Sequence, residues 1–312
     1  MLLIIGKVVS IFAIMLVGFI AYKVGVLGDD AVKPMTSILM DIACPCLIIS
    51  SLYAREISDS MLSDTIAVMV GTMLFYIVSS VLTYVLVRTL KLGNKEETGV
   101  YIAAVAATNN GFMGFPIIKA LYGGDMLYLM VMSNMILNVY LMWMEPSILT
   151  IGSGKKVSAK DLLKTLKSPL VISLAIGFVM MFAHIRPTGI VDETITMIGD
   201  ITIPLSMILV GARLGSVRLR EIVSRNNMIV SLFAMFVIPA LVILVLHPIS
   251  IIGADVKTIL VIDAALPTAV FAAVIAEKYK KNSLLLSELV SLTTLMSVVT
   301  IPLAAIILEA LK

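Results

Sequence analysis

Apolar stretches long enough to cross a bilayer follow one another from end to end of this 312-residue chain. An α-helix needs about 20 apolar residues to cross a hydrocarbon layer ~30 Å thick. The repeated runs predict an all-α membrane protein and leave no room for a sizeable soluble domain. Composition agrees: 60% of residues are hydrophobic and 14% charged, whereas soluble domains carry about 25% charged residues. The mean hydropathy is +1.09. The first apolar run has no basic leader and no evident small-residue cleavage site, so it reads as a retained helix rather than a signal peptide.

Polar punctuation divides the chain into ten predicted helices at about 2–27, 32–53, 62–90, 98–121, 126–151, 169–185, 191–214, 222–248, 256–279 and 284–310. Residues 1–151 form a first five-helix repeat, 152–168 a linker and 169–312 a second five-helix repeat. The linker carries Lys155, Lys156, Lys160, Lys164 and Lys167. With ten spans, 17 of the 23 Lys and Arg residues fall on the side of that linker and 6 on the other. Basic residues accumulate on the cytoplasmic side of membrane proteins. The linker is therefore expected in the cytoplasm and both termini outside, in a multi-pass protein of the plasma (bacterial inner) membrane.

Five helices on each side of the linker run in opposite directions, so any repeat between the halves must be inverted. The second span reads Asp41-Ile42-Ala43-Cys44-Pro45 and the seventh Asp200-Ile201-Thr202-Ile203-Pro204. Pro116 and Pro267 pair the fourth and ninth spans, and Pro146 and Pro302 the fifth and tenth. The three proline pairs are offset by 159, 151 and 156 residues. A proline within a helix removes a backbone donor and clashes with the carbonyl one turn earlier. In hydrocarbon the freed groups are tolerated only where protein or a water-filled cavity satisfies them. Paired interruptions thus point to a binding site made from two broken helices, as in secondary transporters.

The fourth span holds the densest polar cluster, Thr108, Asn109, Asn110, Gly111, Gly114 and Pro116. Glycines allow close approach of backbone or ligand, and Asn side chains both donate and accept. The second half of a broken helix presents free N–H groups and a positive dipole end to anions. A carboxylate would fit between two such ends without a buried Arg or Lys. Asn109, Asn110, Gly111, Gly114, Pro116, Pro267 and Thr268 are the expected substrate contacts. Asn134 and Asn138, one turn apart on the fifth span, could line the same cavity or simply bond across helices.

Charged residues inside spans are costly, at roughly 2.5–3.5 kcal/mol on insertion scales. Asp263, one turn before Pro267, could bind Na⁺ or carry a proton and is the leading ion-coupling candidate. Asp41 and Asp200 are further candidates, or they fix the backbone around their prolines. Glu145 lies near the cytoplasmic end of its span, where partial hydration is expected. Cys44 and Cys46 read as small core residues. His184 and His247 have no metal-ligand spacing, and neither a resident cofactor nor a metal is expected. With no phosphate-binding glycine loop, ATP-driven pumping by this chain is not expected. Nucleic acid is not an expected partner.

At these residues the chain resembles the auxin efflux carrier family, which includes plant PIN-type carriers and bacterial malonate and malate permeases. The segments that carry the resemblance are NNGFMGFPIIKALYG, IPLSMILVGARL and ALPTAVFAAVIAEKY. The resemblance implies a fold like that of bacterial Na⁺/H⁺ antiporters and bile-acid symporters. Helices 1, 2, 6 and 7 would form a scaffold, and 3–5 and 8–10 a transport domain. Helices 4 and 9 would cross at their prolines around an organic anion, and homodimers would form through the scaffold. The long cytoplasmic loop of the plant carriers is absent here, which favours a small carboxylate over auxin. The alternatives are a Na⁺-coupled bile-acid-type symporter, a channel, and an intramembrane aspartyl protease built on two of Asp41, Asp200 and Asp263. The protease would need two carboxylates sharing a proton.

Overall fold

The computed structural model describes residues 2–55, 59–151 and 168–311, so the linker lysines lie outside the described residues. Those residues are helical, joined by short turns, with one isolated antiparallel bridge and no strand among them. Seven helices are long and apolar enough to cross a membrane: Gly6–Lys23, Asp29–Tyr53, Ser60–Leu90, Gly124–Leu149, Ile190–Ser216, Arg225–Leu246 and Ser283–Ala310. The protein is thus a multi-pass membrane protein. The other three predicted spans are two interrupted stretches, described below, and the 14-residue helix Pro169–Phe182.

Proline position explains most of the local irregularity. Among the described residues four π-helical stretches occur, Leu39–Ala43, Asn110–Gly114, Tyr140–Met144 and Phe233–Val237. Each ends two residues before a proline, at Pro45, Pro116, Pro146 and Pro239 respectively. A proline ring clashes with the carbonyl four residues back. One extra residue in the preceding turn moves that carbonyl aside and shifts bonding to i→i+5. Each of these prolines then sits in the first two positions of the next helix, where its missing N–H costs nothing.

The first interrupted stretch comprises Glu97–Ala106, an extended link at 107–109, the π turn, and Phe115–Tyr122. The expected break at Pro116 therefore lies nine residues too late: the chain leaves the helix at Ala107 (ψ 102°), and Pro116 instead starts the second helical half. Thr108, Asn109 and Gly111 are poor helix formers, so little is lost by opening the helix there. The second interrupted stretch comprises Ala254–Ala265, an extended link at 266–269, and Val270–Lys278. Here Pro267 does sit in the break, and Leu266 before it is held extended (ψ 150°), as residues preceding proline prefer.

Among the described residues, helices Leu2–Lys23 and Thr202–Ser216 make the most extensive helix–helix contact. A Cβ added at Gly211 would fall 1.8 Å from the Met15 carbonyl oxygen, and one at Gly18 would fall 2.1 Å from that of Ile208. Gly211 and Gly215 form a G-x-x-x-G spacing, the small-residue device by which membrane helices bring their backbones together. Elsewhere Gly99 admits the Ile148 carbonyl and Gly177 admits Leu52. The last turn of Gly124–Leu149 is thereby drawn against Glu97–Ala106.

Candidate functional site

The two extended links lie antiparallel and bond to each other. Asn109 N–H donates to the Pro267 carbonyl at 2.7 Å, and Ala269 N–H donates to the Ala107 carbonyl at 2.7 Å. Thr108 and Thr268 form the bridge pair between them. Three further backbone groups at the breaks find side chains. Thr268 N–H donates to Thr293 Oγ1 (3.1 Å), Thr268 Oγ1 to the Ala104 carbonyl (2.5 Å), and Thr300 Oγ1 to the Ala265 carbonyl (3.3 Å). Non-helical backbone at membrane depth requires such internal satisfaction, and the hydroxyls of the last helix supply much of it.

Behind this junction lies a buried polar network centred on Asp263, which is 1% exposed. Thr108 Oγ1 donates to its Oδ1 at 2.6 Å and Ser133 Oγ to its Oδ2 at 2.5 Å, with the Tyr76 hydroxyl at 3.5 Å. The Asn110 amide donates to Tyr76 (3.3 Å) and Ser133 (3.4 Å) and accepts from Asn134 Nδ2 at 2.6 Å. Asn138 Nδ2 in turn donates to Asn134 Oδ1 at 3.0 Å. Thr72 Oγ1 closes the set on Ser133 at 3.2 Å. The carboxylate is thus surrounded by donors, and no cationic side chain bonds to it.

The network gathers Asn110, Asn134, Asn138 and Asp263 into one chain of contacts, and Asn109, Pro267 and Thr268 meet at the backbone junction. Gly111 faces Asn134, where an added Cβ would meet Nδ2 at 3.4 Å; Gly114 packs on Met130 and Leu266. Pro116 stays out of the junction. Asp41 is exposed within its π turn, and Asp200 is exposed and paired with Lys119 at 2.5 Å. Neither is hydrogen-bonded to Asp263, and among the described residues no pair of aspartates shares hydrogen bonds as a protease dyad would. Glu145 departs from the hydration expected for it. It is 0% exposed, and neither carboxylate oxygen has a hydrogen-bond partner. The π turn before Pro146 and the close approach at Gly99 turn it inward.

Tyr76, Ser133 and Thr293 escaped the sequence reading. Ser133 had a signal, since it adjoins Asn134, whereas Tyr76 is one of two tyrosines in a long apolar run and nothing in the sequence sets it apart from Tyr84. Asn109 Nδ2 is buried without a partner, and Asn109 lines a cavity of about 350 Å³ on the other side of the junction. Among the described residues, no cluster of three or more His, Cys, Asp or Glu could hold a metal ion.

The family described as membrane transport protein matches residues 3–159 and 153–305. The chain belongs to that family. The resemblance to auxin efflux carriers seen in the sequence is therefore correct. An uncharacterized transporter of Methanothermobacter thermautotrophicus is 25% identical over 301 residues, covering 96% of this chain and 97% of that protein. An uncharacterized transporter of Methanocaldococcus jannaschii is 24% identical over 307 residues, covering 95% and 96%. Family and relatives indicate a membrane transporter rather than an enzyme.

Proposed function

We propose that this family member is a secondary transporter that moves a small organic anion by alternating access, with the anion held where the two broken stretches meet. The single observation that carries this reading is the junction itself. Two interrupted stretches, one from each half of the chain, bond to each other through their backbones beside a buried carboxylate network and a polar cavity. A transporter needs a midplane site with unwound backbone and free half-helix ends, and a helix-packing role alone would not call for breaking both helices. In this reading the halves form a ten-span inverted repeat, with the termini outside and a homodimer formed through the scaffold helices.

Asp263 would carry the coupling proton. Its neighbours are hydroxyls and an amide arranged to donate toward it, an environment that accepts either a carboxylate or, after the hydroxyls turn, a carboxylic acid. The Asn110–Asn134–Asn138 chain links that event to the helix Gly124–Val139 and so to the site.

The test is uptake into proteoliposomes of radiolabelled mono- and dicarboxylates, under a pH gradient, a Na⁺ gradient or neither. Saturable uptake of one acid that is driven by the pH gradient and abolished by Asn110→Ala is the expected result. Uptake driven by Na⁺ alone would replace the proton with Na⁺. If no carboxylate moves, the anion reading falls.

A further inference from the structure

The cavity beside the junction also carries a cationic side chain. Arg213, near the end of Thr202–Ser216, lines it together with Asn109, Glu277 and the hydroxyls of Ser287, Ser291 and Thr294. Among the described residues no carboxylate lies within 4.0 Å of Arg213; the ion pairs there are Arg55–Asp125 and Lys119–Asp200. On its other side Arg213 shares a second cavity with Asp29, Lys33 and Tyr22. Asp29 accepts a hydrogen bond from the Tyr22 hydroxyl at 3.2 Å.

We propose that Arg213 is the counter-charge for the transported anion, and that this cavity takes a compact monocarboxylate and discriminates against dicarboxylates. The inference rests on the anion-transporter reading and narrows its substrate. Three observations carry it. A guanidinium with no carboxylate within 4.0 Å lines a polar cavity, with the Asp29 charge acting on it only from the second cavity, and planar two-pronged donation suits it to a carboxylate. Asn109, 4% exposed, contributes a buried amide donor that no protein group uses, and buried donors without partners are costly unless a ligand or water satisfies them. The charge inventory then limits the ligand: one cation and one carboxylate, Glu277, with Val210, Val270 and Val290 as the apolar wall. A first carboxylate satisfies Arg213. A second would lie against valines or toward Glu277, and both positions disfavour it.

The position of Arg213 also suits alternating access. It stands on Thr202–Ser216, which packs tightly on Leu2–Lys23, whereas Asn109 belongs to the broken stretch. An anion bound between them touches both bodies that must move relative to each other.

Isothermal titration calorimetry on the purified full-length protein in nanodiscs tests this, with lactate and pyruvate set against malate and malonate, and with alanine as a zwitterion. The wild type should bind a monocarboxylate at least tenfold tighter than its matched dicarboxylate. Arg213→Gln should weaken that binding at least tenfold, and Arg213→Lys should recover part of it. Glu277→Gln should raise dicarboxylate affinity and shrink the gap, a result that does not depend on Arg213→Gln folding. Equal binding of malate and lactate, unchanged binding in Arg213→Gln, or preference for alanine would each overturn the proposal. If carboxylate uptake is lost in Asn110→Ala but intact in Arg213→Gln, the role of Arg213 fails and the transporter reading stands. If wild type moves no carboxylate, both fail.

Discussion

Replacing Asp263 separates its structural role from its ionic one. Two hydroxyls donate to the carboxylate at 2.6 and 2.5 Å, and hydrogen bonds to charged groups contribute about 1.5–3 kcal/mol each. Asp263→Ala removes both and leaves the Thr108 and Ser133 hydroxyls buried, a loss of about 3–6 kcal/mol on the same scale, less the desolvation that the wild-type carboxylate suffers. Asp263→Asn behaves differently. Its Oδ1 still accepts from Thr108, while its Nδ2 donates to Ser133 Oγ, whose own hydroxyl turns toward Thr72. The Thr108 bond survives and the Ser133 bond reverses, and the Thr72 hydroxyl, which donates to Ser133 in the wild type, must turn elsewhere, so the cost should be that of one neutral hydrogen bond, roughly 1 kcal/mol. For a chain this large, 1 kcal/mol corresponds to about 2 °C in Tm. Thermal melts in one non-ionic detergent should therefore put Asn within about 2 °C of wild type and Ala at least about 4 °C lower. In proteoliposomes Asp263→Asn should lose the response to a pH gradient while retaining substrate exchange. Equal melting of the Ala and Asn variants would refute the argument, since it would mean that the hydroxyls do not depend on the carboxylate.

Three further outcomes follow from other contacts. Gly211→Ala puts a Cβ 1.8 Å from a backbone oxygen, so Leu2–Lys23 must move away. Overpacking of this kind costs about 1–3 kcal/mol, to be read as a lower Tm against a Gly6→Ala control, where an added Cβ meets nothing within 4 Å. Thr268→Val removes the donor to the Ala104 carbonyl and the acceptor for Thr293. It should lower stability by about 1–3 kcal/mol and speed amide exchange at residues 104–109, measured by hydrogen–deuterium mass spectrometry. Glu145→Leu removes two buried oxygens without partners and should raise Tm, because an unpartnered buried polar group costs about 1–3 kcal/mol. A fall in Tm would mean that Glu145 has a partner.

Apolar run lengths gave the membrane class and most helix boundaries directly, because burial in lipid acts on every residue alike. The Asp263-centred constellation was only half legible. Asn110, Asn134, Asn138 and Asp263 stood out since polar residues in spans are rare. Their association through Ser133 and Tyr76 depended on how Ser60–Leu90 and Gly124–Leu149 pack, which spacing does not encode. The break near Pro116 was misplaced for a related reason. Proline is visible in a sequence, but at the start of a helix it costs nothing. The opening came instead from a weak run of polar residues and from a partner segment about 160 residues away. Arg213 is legible as a charge, but near a helix end nothing in the sequence distinguishes an arginine that lines a cavity from one in a basic loop.

The π turns have a consequence for how this chain tolerates change in length. Each holds one residue more than an α-helical path would, and an α-helix advances about 100° per residue. The face of Gly124–Val139 that presents Asn134 and the face of Glu145–Leu149 that presents Glu145 are therefore set by that extra residue, not by heptad-like spacing alone. Deleting one residue within Tyr140–Met144 would remove the wide turn and bring the Pro146 ring back against the carbonyl four residues earlier, so the helix would have to kink or open just where Glu145 is held inside. Single-residue deletions in these four five-residue windows should thus be far more damaging than substitutions at the same positions, which makes the windows the points where the helices are indexed.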